Sequence, residues 1–442
     1  MIYSNLSVNK KGHLEINGCD AVELAKEFGT PLYVMDESII RQNCRIYREE
    51  LYSLHPDSGV IYAAKAFMTM SMCKIIEEEG LYLDVVSGGE LYTAIKAGYP
   101  LERIYFHGNN KSYEELKMAL EHNVGQIVVD NFYEMEMLKL LTKKMKRKVN
   151  ILLRITPGIE AHTHDYIKTG QLDSKFGFTL ENGQAMMAVE KALGIKDIKL
   201  VGFHCHIGSQ IFETEPFALA AEVMMKFVKS VKSQFGHETL QLDFGGGFGV
   251  KYTDEDKPLH PREYLKALVD SVKTWARKLN VAVPKILVEP GRAIVGPAGI
   301  TLYTIGAIKD IPGVRKYVCV DGGMSDNIRP ALYGAKYSAV LANKANLPGE
   351  EIVSVAGKCC ESGDMLIWDI KLPKVDSGDI LAVFCTGAYH YSMASNYNMI
   401  PRPAVVFVKD GTAWLAVKRE TYDDLLKNDL FEPEKKALFS VM

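Results

Sequence analysis

No apolar run in this chain approaches the roughly 18 residues needed to span a bilayer; the longest resemble Ala404–Val408. No membrane association is therefore expected. An excess of charge of one sign is also missing. Lys+Arg number 52 against 55 Asp+Glu, a net of −3, whereas a nucleic-acid binder needs a basic face to displace counterions. Cysteine is sparse, at 8 residues in 442 with no CxxC pair. That excludes a disulfide scaffold and suits reduced thiols in the cytoplasm. The opening MIYSNLSVNKKG has no charged segment followed by an apolar one, so no secretory signal is expected. Low-complexity tracts are missing too. What remains is an ordinary globular balance of 47% hydrophobic, 10% aromatic and 24% charged residues. At about 150 residues per domain, the length predicts two or three domains.

A strand–helix beat runs along the chain. Short β-branched or aromatic runs start near Val60 (VIYAA), Tyr82 (YLDVV), Ile104 (IYFH), Gln126 (QIVVD) and Asn150 (NILLRI). Helix signals fill the gaps: Ser87 with Glu90 and Ser112 with Glu115 fit capping boxes, while Gly98 and Gly125 fit helix ends. Three further strands follow at wider spacing, LVGFHCHIG (200–208), LQLDFGGG (240–247) and KILVEPG (285–291). Eight parallel strands, each followed by a helix, predict a (β/α)8 TIM-type barrel. A doubly wound open sheet would want GxGxxG after its first strand, and there is none. After about Pro297 the texture turns to short alternating strands, with a hairpin turning on Asp410–Gly411. The expected division is an α/β barrel over 31–295 and a β-rich C-terminal domain over 296–442. Residues 1–30 are expected to pack with that domain and to supply a strand to it.

In such barrels, reactive groups sit at the C-terminal ends of the strands. The first strand ends at Lys65, which if buried would give up its proton readily and form a Schiff base; alone, it is equally a loop-edge lysine. The sixth ends in His204-Cys205-His206, where alternation places both imidazoles on one face. No carboxylate or cysteine stands at ligand spacing, so no metal is assigned; stacking on an aromatic cofactor or a satisfied core position remain. The seventh ends in Gly245-Gly246-Gly247-Phe248-Gly249, whose backbone can approach a phosphate closely, though a tight barrel turn would also want glycine. The eighth ends in Glu289-Pro290-Gly291-Arg292, an acid and a base at one mouth. An amine, a phosphate cradle, an imidazole and an acid are the parts that pyridoxal phosphate requires.

The motifs YAAKA, LDVVSGGEL, HIGSQ, GGGFG, EPGR, CESGD and GAYHYSMASNYN, in order from about Pro31 to Pro403, resemble the alanine-racemase-fold (fold type III) pyridoxal-phosphate decarboxylases. Among these the diaminopimelate decarboxylases are most similar. Phe67 stands where a small polar residue is common in that family, and Lys358-Cys359 precedes CESGD where a proline is usual. The resemblance implies that Lys65 carries the cofactor, supported by Asp84, that Glu289 bonds the pyridine nitrogen and that His206 stacks on the ring. It also implies that Ser209, Gly247, Gly291, Arg292 and Tyr389 hold the phosphate. Cys360 would donate a proton across the interface of a head-to-tail homodimer with shared active sites.

Substrate choice turns on charge. Ornithine-type substrates end in a bare ammonium, whereas meso-2,6-diaminoheptanedioate ends in a second amino-acid group and wants a cation as well as an acid. Arg292, Arg329, Tyr333, Glu361 and Tyr389 are expected to hold it, arginine gripping carboxylate through a two-pronged fork. The expected reaction is decarboxylation to L-lysine, the last step of lysine biosynthesis. The alternatives are a decarboxylase of ornithine, arginine or a carboxy-polyamine, an alanine racemase, or a regulatory homologue without catalysis. The last would be expected to lose Lys65 or Cys360. The basic KKMKRK (143–148) is read as a solvated helix end, Met68, Met70 and Met72 as packing, and His162/His164 as no metal site. The long connection from Thr156 to Phe178 is expected to act as a mobile lid.

Overall fold

The computed structural model describes residues 6–159 and 174–431. Eight parallel strands close on themselves: β1 Ser58–Ala63, β2 Tyr82–Val85, β3 Ile104–Phe106, β4 Gln126–Val129, β5 Val149–Thr156, β6 Ile198–His204, β7 Gln241–Asp243 and β8 Lys285–Val288. The register runs without a gap from β8 through β1 to β4, and β5 pairs both β4 and β6, which closes the barrel. Side chains alternate. Val60 and Tyr62 face the surrounding helices, while Ile61 points inward with Tyr105, Val128, Leu152, Val201 and Leu287. That inner layer plugs the barrel, so any chemistry must lie above it, at the C-terminal mouth.

The second domain is a nine-stranded sheet. Its long strand Gly299–Ile311 pairs antiparallel with Arg315–Val320, Ile380–Phe384 and Leu32–Asp36. The strand expected from residues 1–30 is therefore Leu32–Asp36, which runs parallel to Ala404–Lys409 on its other side. Residues 6–20 form a small three-stranded sheet of their own. Leu14 and Ile16 of that sheet pack with Leu32, Val34 and Ile300 in one apolar cluster. The reason is local: Asn17 and Gly18, both at positive φ, turn the chain back before it can reach the larger sheet. Asp36 then caps the 18-residue helix Glu37–Leu54, accepting from the Ile39 N–H, and that helix leads into β1.

The helix signals fare unevenly. Ser112 and Glu115 make a complete capping box, and Gly98 closes its helix at φ 72°. Gly125 does not end a helix: Tyr113–Glu121 is capped at His122. A Cβ on Gly125 would come within 2.0 Å of the Glu102 carbonyl oxygen, so glycine is needed there for close approach. The basic run 143–148 closes the helix Phe132–Met145, with Lys146 left-handed. Among the described residues no helix is long and apolar enough to cross a membrane. The expected lid falls mostly within 160–173, outside the described residues, as do His162 and His164.

Candidate active site

A pocket opens at the barrel mouth, lined by Lys65, His206, Ser209, Gly247, Glu289, Gly291, Arg292 and Tyr389 among others. Four separate strand ends and the second domain thus supply one site.

Lys65 rides on a single 3-10 turn, Ala64–Ala66, directly after β1. The turn is tied from both domains. The Tyr62 hydroxyl donates to the Phe67 carbonyl at 2.7 Å, and the Tyr389 N–H donates to the Ala66 carbonyl at 2.8 Å. The lysine itself is exposed, not buried as the apolar run before it suggested. Strand β1 ends two residues earlier, and the turn carries the side chain into the open mouth.

The glycine run after β7 fits a phosphate. Gly245 and Gly247 adopt φ of 65° and 105°, and a Cβ on Gly247 would meet the Gly208 carbonyl oxygen at 2.4 Å. The backbone is therefore pressed against the barrel rim with no room for a side chain. Gly246 donates its N–H to His206 Nδ1 at 3.2 Å. Among the described residues the N–H groups of Gly247 and Phe248 find no protein acceptor, although both residues line the cavity. Unspent donors at a cavity wall are what an anionic oxygen requires.

Glu289 sits 2.8 Å from His107 Nε2 and 3.3 Å from His204 Nε2. Burial would push its carboxyl up, but the two imidazoles hold it well below the ordinary carboxylate range. His107 is correspondingly raised against the pull of burial, while burial drives His204 down to about 3. Beside them burial and the Glu289 charge push Asp243 well up, so it stays protonated. Burial also takes Asp84 to about 6 and Glu90 to about 7. The result is one firm carboxylate beside a protonated Asp243, suited to hold a proton on a ring nitrogen.

The metal question changes here. No carboxylate stands at ligand spacing from His204 along the chain, yet folding brings Asp243, Glu289 and His107 to it, with donor atoms all within 4.8 Å. Each already has a neighbour in the set, and together they orient Glu289. The expected pairing of His204 and His206 on one face does not hold. Strand β6 stops at His204, so alternation does not reach His206, which lies beyond it at the cavity wall. Burial, with Lys65 and Arg154 nearby, keeps His206 well below its ordinary pKa and therefore neutral, as stacking requires.

Arg292 donates to Ser209 Oγ at 3.0 Å and to the Tyr252 hydroxyl, and lies over the Tyr389 ring at 4.7 Å. Arg329 opens the short helix Arg329–Tyr333 and is buried, with its guanidinium 5.9 Å from the Tyr333 ring. Among the described residues neither guanidinium has a carboxylate partner, and the Nε of each is buried without an acceptor. Cys360 and Glu361 are not brought to this cavity. Both are exposed on the loop between Glu351–Ala356 and Met365–Leu372, where the Cys360 N–H donates to Asn398 Oδ1 at 2.7 Å. His107, Asp243 and Tyr252 went unmarked in the sequence. His107 ends the IYFH run, a strand-end position that could have flagged it.

The chain matches the family model described as pyridoxal-dependent decarboxylase, pyridoxal binding domain, over residues 37–296. It is 58% identical over 422 residues to a diaminopimelate decarboxylase of Bacillus subtilis (strain 168), covering 96% of each chain. A Mycobacterium tuberculosis relative of the same name is 44% identical over 431 residues, again with 96% of each chain covered. Among solved structures, a diaminopimelate decarboxylase from m. jannaschii in co-complex with L-lysine superposes with a TM-score of 0.91 at 37% identity, over 97% of this chain and 98% of that one. A lysine/ornithine decarboxylase from Vibrio vulnificus, at 22% identity and a TM-score of 0.75 over 89% of this chain and 99% of that one, shares the fold alone.

Proposed function

Because the chain belongs to the pyridoxal-dependent diaminopimelate decarboxylases, we propose that it releases the carboxyl at the D centre of meso-2,6-diaminoheptanedioate as CO2, leaving L-lysine. It is a lyase that uses pyridoxal phosphate, and its product closes lysine biosynthesis.

When bound, the cofactor supplies a sink for the electron pair that CO2 leaves behind. Lys65 holds it through Nζ, with Asp84 beneath the lysine turn. Glu289 keeps the ring nitrogen protonated, and His206 offers a flat neutral face. Ser209, Gly247, Gly291, Arg292 and Tyr389 hold the phosphate. Arg292, Arg329, Tyr333 and Tyr389 grip the substrate, and Glu361 receives its far ammonium. Cys360 gives a proton from Sγ to the carbon that has lost CO2. Its exposed position away from its own chain's cavity supports a head-to-tail homodimer in which the partner subunit supplies Cys360 and Glu361. We place the enzyme in the cytoplasm, since none of the eight cysteines forms a disulfide.

The observation that carries the choice of substrate is the pair of buried guanidiniums with no carboxylate partner among the described residues. Arg292 also meets the phosphate, but a diamine's bare end would leave Arg329 uncompensated. Purified protein loaded with pyridoxal phosphate is expected to produce equal amounts of CO2 and lysine from meso-diaminopimelate. Faster turnover of ornithine would overturn the assignment.

A further inference from the structure

Two like charges rarely share a buried space without something between them. Arg292 and Arg329 do, and what lies between them is the hydroxyl of Tyr252. Its oxygen accepts from Arg292 Nη1 and, at 2.8 Å, from Arg329 Nη1. The ring lies 5.8 Å from the first guanidinium carbon and 5.0 Å from the second. Tyr337 backs the arrangement, accepting from the same Arg329 nitrogen at 2.6 Å and meeting Tyr252 edge-on at 5.4 Å. Tyr252 is itself only 6% exposed, and its backbone is fixed at both ends. Its N–H donates to Asp256 Oδ2 at 3.0 Å, and its carbonyl accepts from Ser338 Oγ at 3.0 Å.

One phenol oxygen thus spends its acceptor capacity on two cations. That holds the guanidiniums at one spacing. Without the oxygen, each would lose a charge-assisted bond and the pair would be free to move apart under its own repulsion. Burial works against the charge of Arg329, yet the Tyr252 and Tyr337 oxygens hold its pKa above the ordinary value, so the cation persists.

We propose that Tyr252 is a positioning residue for substrate recognition: its hydroxyl locks Arg292 and Arg329 into a single two-cation receptor for the carboxylate that remains on the substrate after decarboxylation. This rests on the function proposed above and adds to it a residue that stands outside the cavity wall. Tyr252 contacts no reacting atom in this scheme, so its effect falls on binding and not on the chemical step.

The test is Tyr252→Phe in the loaded enzyme, which keeps the ring and removes the oxygen. KM for meso-diaminopimelate should rise about tenfold with kcat within about twofold. The inhibition constant of L-lysine, which keeps the far carboxylate, should rise in parallel. That of 1,5-diaminopentane, which has both amines and no carboxylate, should stay put. Cofactor absorbance and thermal midpoint should match the parent. An unchanged KM would overturn the proposal. So would a fall in kcat with loss of cofactor, or equal weakening of the diamine, since each marks a general structural role. Failure of the parent enzyme to turn over diaminopimelate would strike the substrate assignment instead, and is read before the variant is made.

Discussion

Glu289 owes its charge to His107. The two are 2.8 Å apart and both almost fully buried, so each makes the other's ionised form tolerable. The shifts fix the sign of the pH dependence. Glu289 is held below its ordinary value, so its stabilising contribution is present above about pH 4.3 and fades only as pH falls through its lowered pKa. His107 is held above its ordinary value, so its contribution is whole below about pH 6.5 and is lost as pH rises through its raised pKa. The pair is therefore strongest between these limits. Replacing His107 by Gln should cost about 3 kcal/mol in that window. The deficit should shrink toward alkaline pH, as read by denaturant unfolding of parent and variant across pH 4 to 9. A deficit that stays flat with pH would mean that His107 acts by packing and not by charge.

At the scale of the element, the loop after β7 presses against the barrel rim and lines the cavity proposed to hold the cofactor phosphate. Gly247→Ala must relieve a Cβ lying 2.4 Å from the Gly208 carbonyl oxygen at a φ of 105°. The displaced backbone would carry the Gly247 and Phe248 N–H groups with it. Titrating the stripped protein with pyridoxal phosphate by absorbance should then show an affinity lower by about tenfold or more. Unchanged affinity would remove this loop from the phosphate site. The loop also shows what a sequence can reveal. Apolar runs at even spacing disclose the eight strands because burial on both faces demands them, and strand ends disclose Lys65, His206, Gly247, Glu289 and Arg292. Gly125 misleads because a glycine that ends a helix and one that admits a neighbouring carbonyl are written alike. The N-terminal strand at Leu32–Asp36 hides because LYVMD reads equally as the approach to a barrel. His107 and Tyr252 stay hidden because their meaning lies in partners 182 and 77 residues away in the chain, Glu289 and Arg329, which only closure of the barrel and docking of the second domain bring near.

At the scale of the whole molecule, the chain keeps Cys360 and Glu361 apart from its own cavity. The cavity has the amine, the phosphate cradle and the ring-nitrogen acid, and in the proposed scheme the proton for the carbon that loses CO2 comes from Cys360. The proposed donor, Cys360, stands exposed on a loop of the second domain with Glu361 beside it. An exposed thiol next to carboxylates has no packing role, and under the proposed scheme the cavity still wants that thiol. A two-fold axis that brings each loop to the other chain's cavity resolves both at once, because an isologous contact repeats every pairing. The consequence is genetic complementation between dead enzymes. Lys65→Ala and Cys360→Ala should each be nearly inactive alone. In a mixture that is allowed to exchange subunits, about half the dimers are mixed, and each mixed dimer has one site with both parent residues. Activity should therefore recover to about a quarter of the parent value. The recovered enzyme should keep the parent KM, since its intact site is unaltered. If the mixture stays inactive although exchange is demonstrated by differently tagged subunits, each site takes its proton from within one chain, and the search for the donor returns to the cavity wall.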